Sequence, residues 1–260
     1  MSGNTSMTLQ VSDLTVSVPG RTLVSSLDLS VKAGEFVAVL GRNGTGKTLT
    51  LHTVAGLRPT EAGKVMLEGE LLSDMDRKDA ARCLALLPQH SDDIFPASVL
   101  DTVLIGRHPH IPRFGWESAD DIDASRKALA SVQLDELSDR DVLSLSGGER
   151  RRLAIAQIIA QNPSVFLLDE PTNHLDPQHQ LDAVALFRQK ANEGASVLAS
   201  LHDVNLAARF ADRCLFLYGD GRWEIGPVNE ILTAASLSEL YGTAMQAVPW
   251  ESTSLFFATG

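Results

Sequence analysis

The chain has 260 residues, of which 22 are basic and 33 acidic, for a formal charge of −11; 44% of its residues are hydrophobic. That length is enough to bury a real core, and the composition excludes a disordered or fibrous chain. The acidic balance argues against a nucleic-acid binder and against a polybasic lipid-binding surface. No uncharged apolar run approaches the roughly 18–20 residues needed to cross a bilayer, and the polar start Met1 to Gln10 lacks the layout of a secretory signal. A soluble, cytoplasmic protein is expected. Cys83 and Cys214 stand far apart and read as small packing residues, not as a disulfide or zinc framework.

Along the chain, Leu9, Val11, Leu14, Val16 and Val18, then Leu23, Leu27, Leu29 and Val31, alternate with polar residues around the turn Pro19-Gly20. Period-two patterning predicts antiparallel strands with one wet face. Phe36 to Leu40 is apolar throughout, as are Val165 to Leu168 and Val197 to Leu201 apart from Ser200. Short uninterrupted runs suit strands buried on both faces. Helical patterns lie at Lys47 to Ala55, Glu149 to Ala160, His179 to Glu193 and Val204 to Ala211. Strands alternating with helices predict a parallel α/β core fronted by an antiparallel flap. Residues 91–145 carry helical segments at Ser98 to Ile105 and Ile122 to Val132 and no convincing buried strand. They read as a helical insertion. The tail after Gly226 reads as short helices packed on the core.

Three motifs carry chemistry. Gly41, Arg42, Asn43, Gly44, Thr45, Gly46, Lys47 and Thr48 match G-x-x-x-x-G-K-[ST] between an apolar strand and a helix. Such a loop turns backbone N–H groups around phosphate oxygens, with the lysine on the β- and γ-phosphates and the threonine hydroxyl on Mg²⁺. Asp169 and Glu170 end an apolar strand, where adjacent acids can split the roles of metal ligand and general base. Ser146, Gly147, Gly148 and Glu149 open a helix in capping-box spacing, and the two glycines add a bare backbone suited to a second anion contact.

With these motifs in this order, the chain resembles the nucleotide-binding subunit of an ATP-binding cassette (ABC) transporter over nearly its whole length. The phosphate loop, Gln89, the Leu145 to Glu149 signature, Asp169 and Glu170, the stretch Asn173 to Asp176, and His202 all fall in place. The resemblance implies a P-loop NTPase fold with a RecA-like parallel sheet, an N-terminal antiparallel β subdomain and a helical insertion. It implies a single domain over 1–260, with 1–90 and 146–230 as ATP-binding core, 91–145 as helical subdomain and 231–260 as a tail. ATP and Mg²⁺ are the implied cofactors, with Thr48, Gln89 and Asp169 toward the metal. Glu170 is the implied base, His202 the γ-phosphate contact and Lys47 a further catalytic group. Two copies pair head to tail, so that Ser146, Gly147 and Gly148 close over the partner's nucleotide and Asp176 makes a dimer contact.

One departure stands out: Val18 occupies about the place where the family stacks an aromatic on adenine, forfeiting roughly 1 kcal/mol of stacking. Leu87 to His90, Val103 to His110, Ala160 to Pro163 and His202 to Ala207 resemble the subgroup serving metal-chelate importers of ferric siderophores, haem or cobalamin. That implies two integral membrane permease subunits, an extracytoplasmic binding protein acting indirectly, and a place at the cytoplasmic face of the plasma membrane. His108 and His110 lack further ligands of suitable spacing for a metal. Phe95 to Ile105 reads either as a docking surface for a permease helix or as core packing of the insertion.

Overall fold

The structure, a computed structural model, describes residues 7–89, 96–250 and 253–259. Strands β1 (Met7–Val18) and β2 (Arg21–Lys32) form the expected hairpin, with Val18 facing Arg21 across the turn. β3 (Phe36–Leu40) then enters the core and α1 (Lys47–Val54) leaves it. β4 (Ala62–Leu67) and β5 (Glu70–Leu71) complete a four-stranded antiparallel sheet of order β2-β1-β4-β5. α2 (Arg77–Cys83) leads to β6 (Leu84–Leu87).

Beyond the undescribed residues 90–95, α3 (Val99–Leu104) and α4 (Ala119–Ser131) make up the insertion. Ser98 caps α3 through the Asp101 N–H, and Ser118 with Asp121 forms a capping box on α4. The Ser98 cap puts α3 within a residue of the start expected at Ser98, whereas the Ser118 box starts α4 three residues before the expected Ile122. The chain then alternates α5 (Gly147–Gln161), β7 (Val165–Asp169), α6 (Pro177–Asn192), β8 (Ser196–Ser200), α7 (Val204–Phe210) and β9 (Arg213–Leu217), followed by β10 (Trp223–Pro227). The larger sheet has the order β10-β9-β3-β8-β7-β6, parallel throughout except for the edge strand β10.

β3 shows how the sheet holds the molecule together. Phe36, Ala38 and Leu40 face a core shared with α5 and α6, while Val37 and Val39 face a second core under the antiparallel sheet and α1. All five are buried, as strands covered on both sides require. Phe166 and Phe187 meet edge to face at 5.5 Å in the first core.

The tail differs from expectation. After α8 (Val228–Ile231) and α9 (Ala234–Tyr241) the chain ends in a hairpin, β11 (Met245–Trp250) and β12 (Thr253–Ala258). Asn205 on α7 holds it with a two-way pair: its Nδ2 donates to the Phe256 carbonyl at 3.2 Å and its Oδ1 accepts from the Phe256 N–H at 2.7 Å. Phe256 is buried, whereas Val248, Trp250 and Phe257 are exposed. Phe256 is the one buried side chain among the described hairpin residues, with Met245 half-buried against the core, so the hydrophobic signal in the sequence is weak.

Of the Phe95 to Ile105 tract, Phe95 lies outside the described residues. Val99 and Val103 are fully buried and Ile105 is exposed. Cys214 is buried and its thiol is pushed up to about 12 by burial, as a packing cysteine should be.

Candidate active site

Topology does most of the gathering. β3, β6, β7 and β8 are parallel neighbours or near neighbours, so the loops after them emerge at one edge of the sheet. The phosphate loop follows β3, Gln89 follows β6, Asp169 and Glu170 end β7, and His202 follows β8.

In the phosphate loop, a Cβ on Gly41 would lie 2.5 Å from the Leu217 carbonyl oxygen and 2.8 Å from Thr45 Oγ1, so no side chain fits there. Gly46 takes φ +102 at the N-cap of α1 and offers no side-chain cap, leaving the first N–H groups of the helix to an outside acceptor. Arg42, Asn43 and Gly44 are exposed and Thr48 is half-buried. Lys47 is buried and its ammonium donates to the carbonyls of Gly41 (2.8 Å) and Arg42 (3.2 Å). Burial lowers its pKa, against the pull of Glu170 and Asp169.

The two acids at the end of β7 sit in unlike surroundings. Asp169 is wholly buried; its Oδ1 accepts from Ser200 Oγ at 2.8 Å, while Oδ2 has no partner. An orphaned buried carboxylate oxygen beside a phosphate loop is the right donor for a hard cation such as Mg²⁺. Glu170 has both oxygens engaged: Oε2 accepts from Gln89 Nε2 at 2.7 Å and from Asn173 Nδ2 at 2.5 Å, and Oε1 meets His202 Nε2 at 2.5 Å. Burial pushes the Glu170 carboxyl upward, but Asn173, His202 and Gln89 together outweigh it and hold it below the usual carboxylate range. Its backbone is left-handed, φ +49, a conformation costing a non-glycine residue roughly 1–2 kcal/mol. The Ser200 hydroxyl accepts from the Glu170 N–H at 2.9 Å and helps hold that turn.

Ser146 caps α5 in the predicted capping box, its N–H donating to Glu149 Oε2 at 2.7 Å. Ser146 and Gly147 are exposed, and a Cβ on Gly147 would meet nothing within 4 Å. This chain's own packing therefore does not require the glycine. Asp176 caps α6, which begins at Pro177, and its carboxylate is also paired with His179 at 2.8 Å while remaining largely exposed. Val18 is half-buried and packs on the core beneath the antiparallel sheet.

Two residues at the site were not anticipated, Ser200 and Arg151, and Asn173 entered only as the first residue of the Asn173 to Asp176 stretch. All three bear on Asp169 or Glu170, and neither Ser200 nor Arg151 stands out from its neighbours in the sequence. Elsewhere, Arg107 pairs with Asp121 at 2.9 Å and donates to the Ala160 carbonyl at 2.7 Å, and His110 bonds the Gln161 carbonyl. The segments 103–110 and 160–163 thus stitch the insertion to the end of α5. Among the described residues no His, Cys, Asp and Glu cluster could hold a metal ion, His108 and His110 included.

A buried lysine in a glycine-rich loop, an acid with an open oxygen and a second acid held by three donors define a phosphate-loop ATPase. The particular family follows from comparison. A family model described as ABC transporter matches residues 24–173, and the chain belongs to that family. It is 44% identical over 219 residues to the Hemin import ATP-binding protein HmuV of Deinococcus radiodurans, covering 82% of this chain and 81% of that one. It is 38% identical over 229 residues to the Cobalamin import ATP-binding protein BtuD of Halobacterium salinarum, covering 87% of this chain and 57% of the relative. Among solved structures, a chain of a metal-chelate type ABC transporter in an inward-facing conformation superposes with a TM-score of 0.84 at 28% identity, over 98% of both chains. The chain is an ATP-binding ATPase of that family.

Proposed function

We propose that this chain is the ATP-hydrolysing subunit of an importer for a metal chelate of the haem, cobalamin or ferric siderophore class. The cargo class rests on the relatives named for hemin and cobalamin import. The observation that carries the chemistry is the convergence of Gln89, Asn173 and His202 on the Glu170 carboxylate.

In this reading Lys47 and the N–H groups at the start of α1 hold the β- and γ-phosphates, and the Glu170 carboxylate takes the proton of the attacking water. His202 turns from Glu170 to the γ-phosphate. Mg²⁺, held by Thr48, Asp169 and Gln89, would neutralise phosphate charge when bound. Residues 1–90 and 146–230 act as one nucleotide-binding core and 91–145 as the lobe that presents the signature.

Two copies pair head to tail, so that the exposed Ser146 and Gly147, with Gly148, close over the partner's nucleotide. The open space at Gly147 supports this, because its bare backbone serves no contact within one chain. In this reading Asp176, exposed at the start of α6, contacts the partner. ATP favours the closed pair and loss of phosphate reopens it. Two integral membrane permease subunits would follow that motion from the cytoplasmic face of the plasma membrane, with cargo delivered by an extracytoplasmic binding protein. No helix among the described residues is long and apolar enough to cross a membrane.

The test is Glu170→Gln. It keeps the hydrogen-bonding shape but removes the base, so ATP binding should persist while turnover falls at least about 10²-fold. Unchanged ATPase activity in that variant defeats the assignment.

A further inference from the structure

Arg151 lies on α5, just past the exposed start of the signature helix, yet only 4% of its surface is exposed. A guanidinium has five N–H donors in one plane. Here five contacts to backbone carbonyls engage all three of its nitrogens: Nη1 to Pro88 (2.6 Å) and Gln89 (3.4 Å), Nη2 to Asp169 (2.8 Å) and Glu170 (2.7 Å), and Nε to Pro171 (3.2 Å). These carbonyls belong to two separate segments, the loop after β6 and the end of β7 with the turn that follows it. Their negative ends converge on one point, an arrangement that repels itself without a cation at its centre. Arginine is not deprotonated in proteins, so the group at that centre is a cation. Burying a charge is costly unless every donor is satisfied, and a side chain needed only to fill space would be apolar.

We propose that Arg151 is a positioning residue: it clamps the Gln89 loop to the Glu170 turn and carries any displacement of the signature helix to both. The proposal rests on the reading of Gln89 and Glu170 given above. Gln89 Nε2 and Glu170 Oε2 sit 2.7 Å apart because their backbones hang from the same guanidinium. When Ser146, Gly147 and Gly148 are engaged from outside, α5 moves as a rod, and its one buried cation moves with it. Lysine cannot substitute fully, since a single ammonium with three donors cannot span five carbonyls in a plane.

The test uses the purified full chain with Arg151→Lys, Arg151→Met, Gln89→Ala and the Arg151→Lys/Gln89→Ala double variant, assayed for ATPase activity across ATP concentration and for thermal unfolding. A misplacement near 1 Å costs on the order of 10²-fold in rate. Arg151→Lys is therefore expected to lose about tenfold or more in kcat with KM for ATP unchanged, and Arg151→Met to lose more. In the Gln89→Ala background the Arg151→Lys loss should shrink, because the clamped partner is already gone. An equal loss in both backgrounds, or a kcat for Arg151→Lys equal to wild type, overturns the proposal. If Arg151→Met unfolds below the assay temperature, Arg151→Lys, which retains the cation, decides. Glu170→Gln run in parallel separates the two levels. If it is inactive while Arg151→Lys is fully active, only the clamp is refuted; if it is fully active, the base assignment falls and the clamp with it.

Discussion

Ser200→Ala removes one hydroxyl from the most enclosed part of the site, and its cost can be worked out bond by bond. Ser200 has no exposed surface. Its Oγ accepts from the Glu170 N–H at 2.9 Å and donates to Asp169 Oδ1 at 2.8 Å. The variant leaves a buried N–H without an acceptor, worth about 1–3 kcal/mol, and strips a carboxylate of a donor, worth about 1.5–3 kcal/mol. Part is recovered as the turn relaxes, so a net loss of about 2–4 kcal/mol is expected. For a chain of this size that lowers Tm by roughly 5–10 °C. Function should suffer separately. The left-handed turn at Glu170 loses one of its anchors, so the carboxylate should drift and ATPase kcat fall about tenfold or more. Thermal unfolding and steady-state ATPase assays on Ser200→Ala measure both, with Ser200→Cys expected to lie between it and wild type. A Ser200→Ala protein with wild-type Tm and kcat would show that the hydroxyl supports neither acid, and the account of the β7 terminus would be wrong.

Ser146→Arg is expected to leave ATP binding by a single copy intact while abolishing hydrolysis, read by nucleotide titration beside an ATPase assay; full activity would rule out closure in trans. Asp121 is held down to about 2 by Ser118 first and Arg107 second. A carboxylate depressed on folding contributes stability above its unfolded pKa near 3.9 that is lost as pH falls toward the folded value. The contribution is at most about 2.6 kcal/mol. Urea midpoints should thus show Asp121→Asn less stable than wild type at pH 7, the gap closing between about pH 4 and pH 2; a gap independent of pH would mean that the charge is not what Asp121 contributes. Asn173→Ala, which removes one of the donors holding Glu170 down, should shift the acid limb of the ATPase pH profile to higher pH; an unmoved limb would refute Asn173 as a determinant of that carboxyl.

How much of this could be read from the chain depended on the range of each signal. The buried strands β3, β7 and β8 and the helices α1, α5, α6 and α7 declare themselves through unbroken apolar runs and helical spacing. β6 and β9 carry apolar runs too, Leu84 to Leu87 and Cys214 to Leu217, but β6 begins right after α2 and only two residues separate β9 from α7, so neither is set apart from the helix before it. β4 buries just two of its six residues, so no alternation marks it. In the tail, the hairpin is set by the backbone pair with Asn205, a contact across 51 residues that no local pattern encodes.

The site divides the same way. Motif residues act through backbone geometry fixed within a few positions: Gly41 must be bare, Gly46 must be left-handed, and Ser146 must cap. Ser200, Asn173 and Arg151 act through register and packing. Ser200 reaches Asp169 because the two are paired across β7 and β8, and a one-residue slip would turn it to the other face. That register also explains why adjacent acids diverge. Asp169 receives one donor and keeps one oxygen open in a dry place, which suits a cation. Glu170, thrown into a left-handed turn, has both oxygens covered by Gln89, Asn173 and His202. A carboxylate so covered is a weakened base, because three donors take three of its roughly four lone-pair sites and stabilise its charged form. Each donor that turns away strengthens Glu170 as a base. On the proposed reading, a γ-phosphate that draws His202 away from Glu170 strengthens the base only when nucleotide is bound.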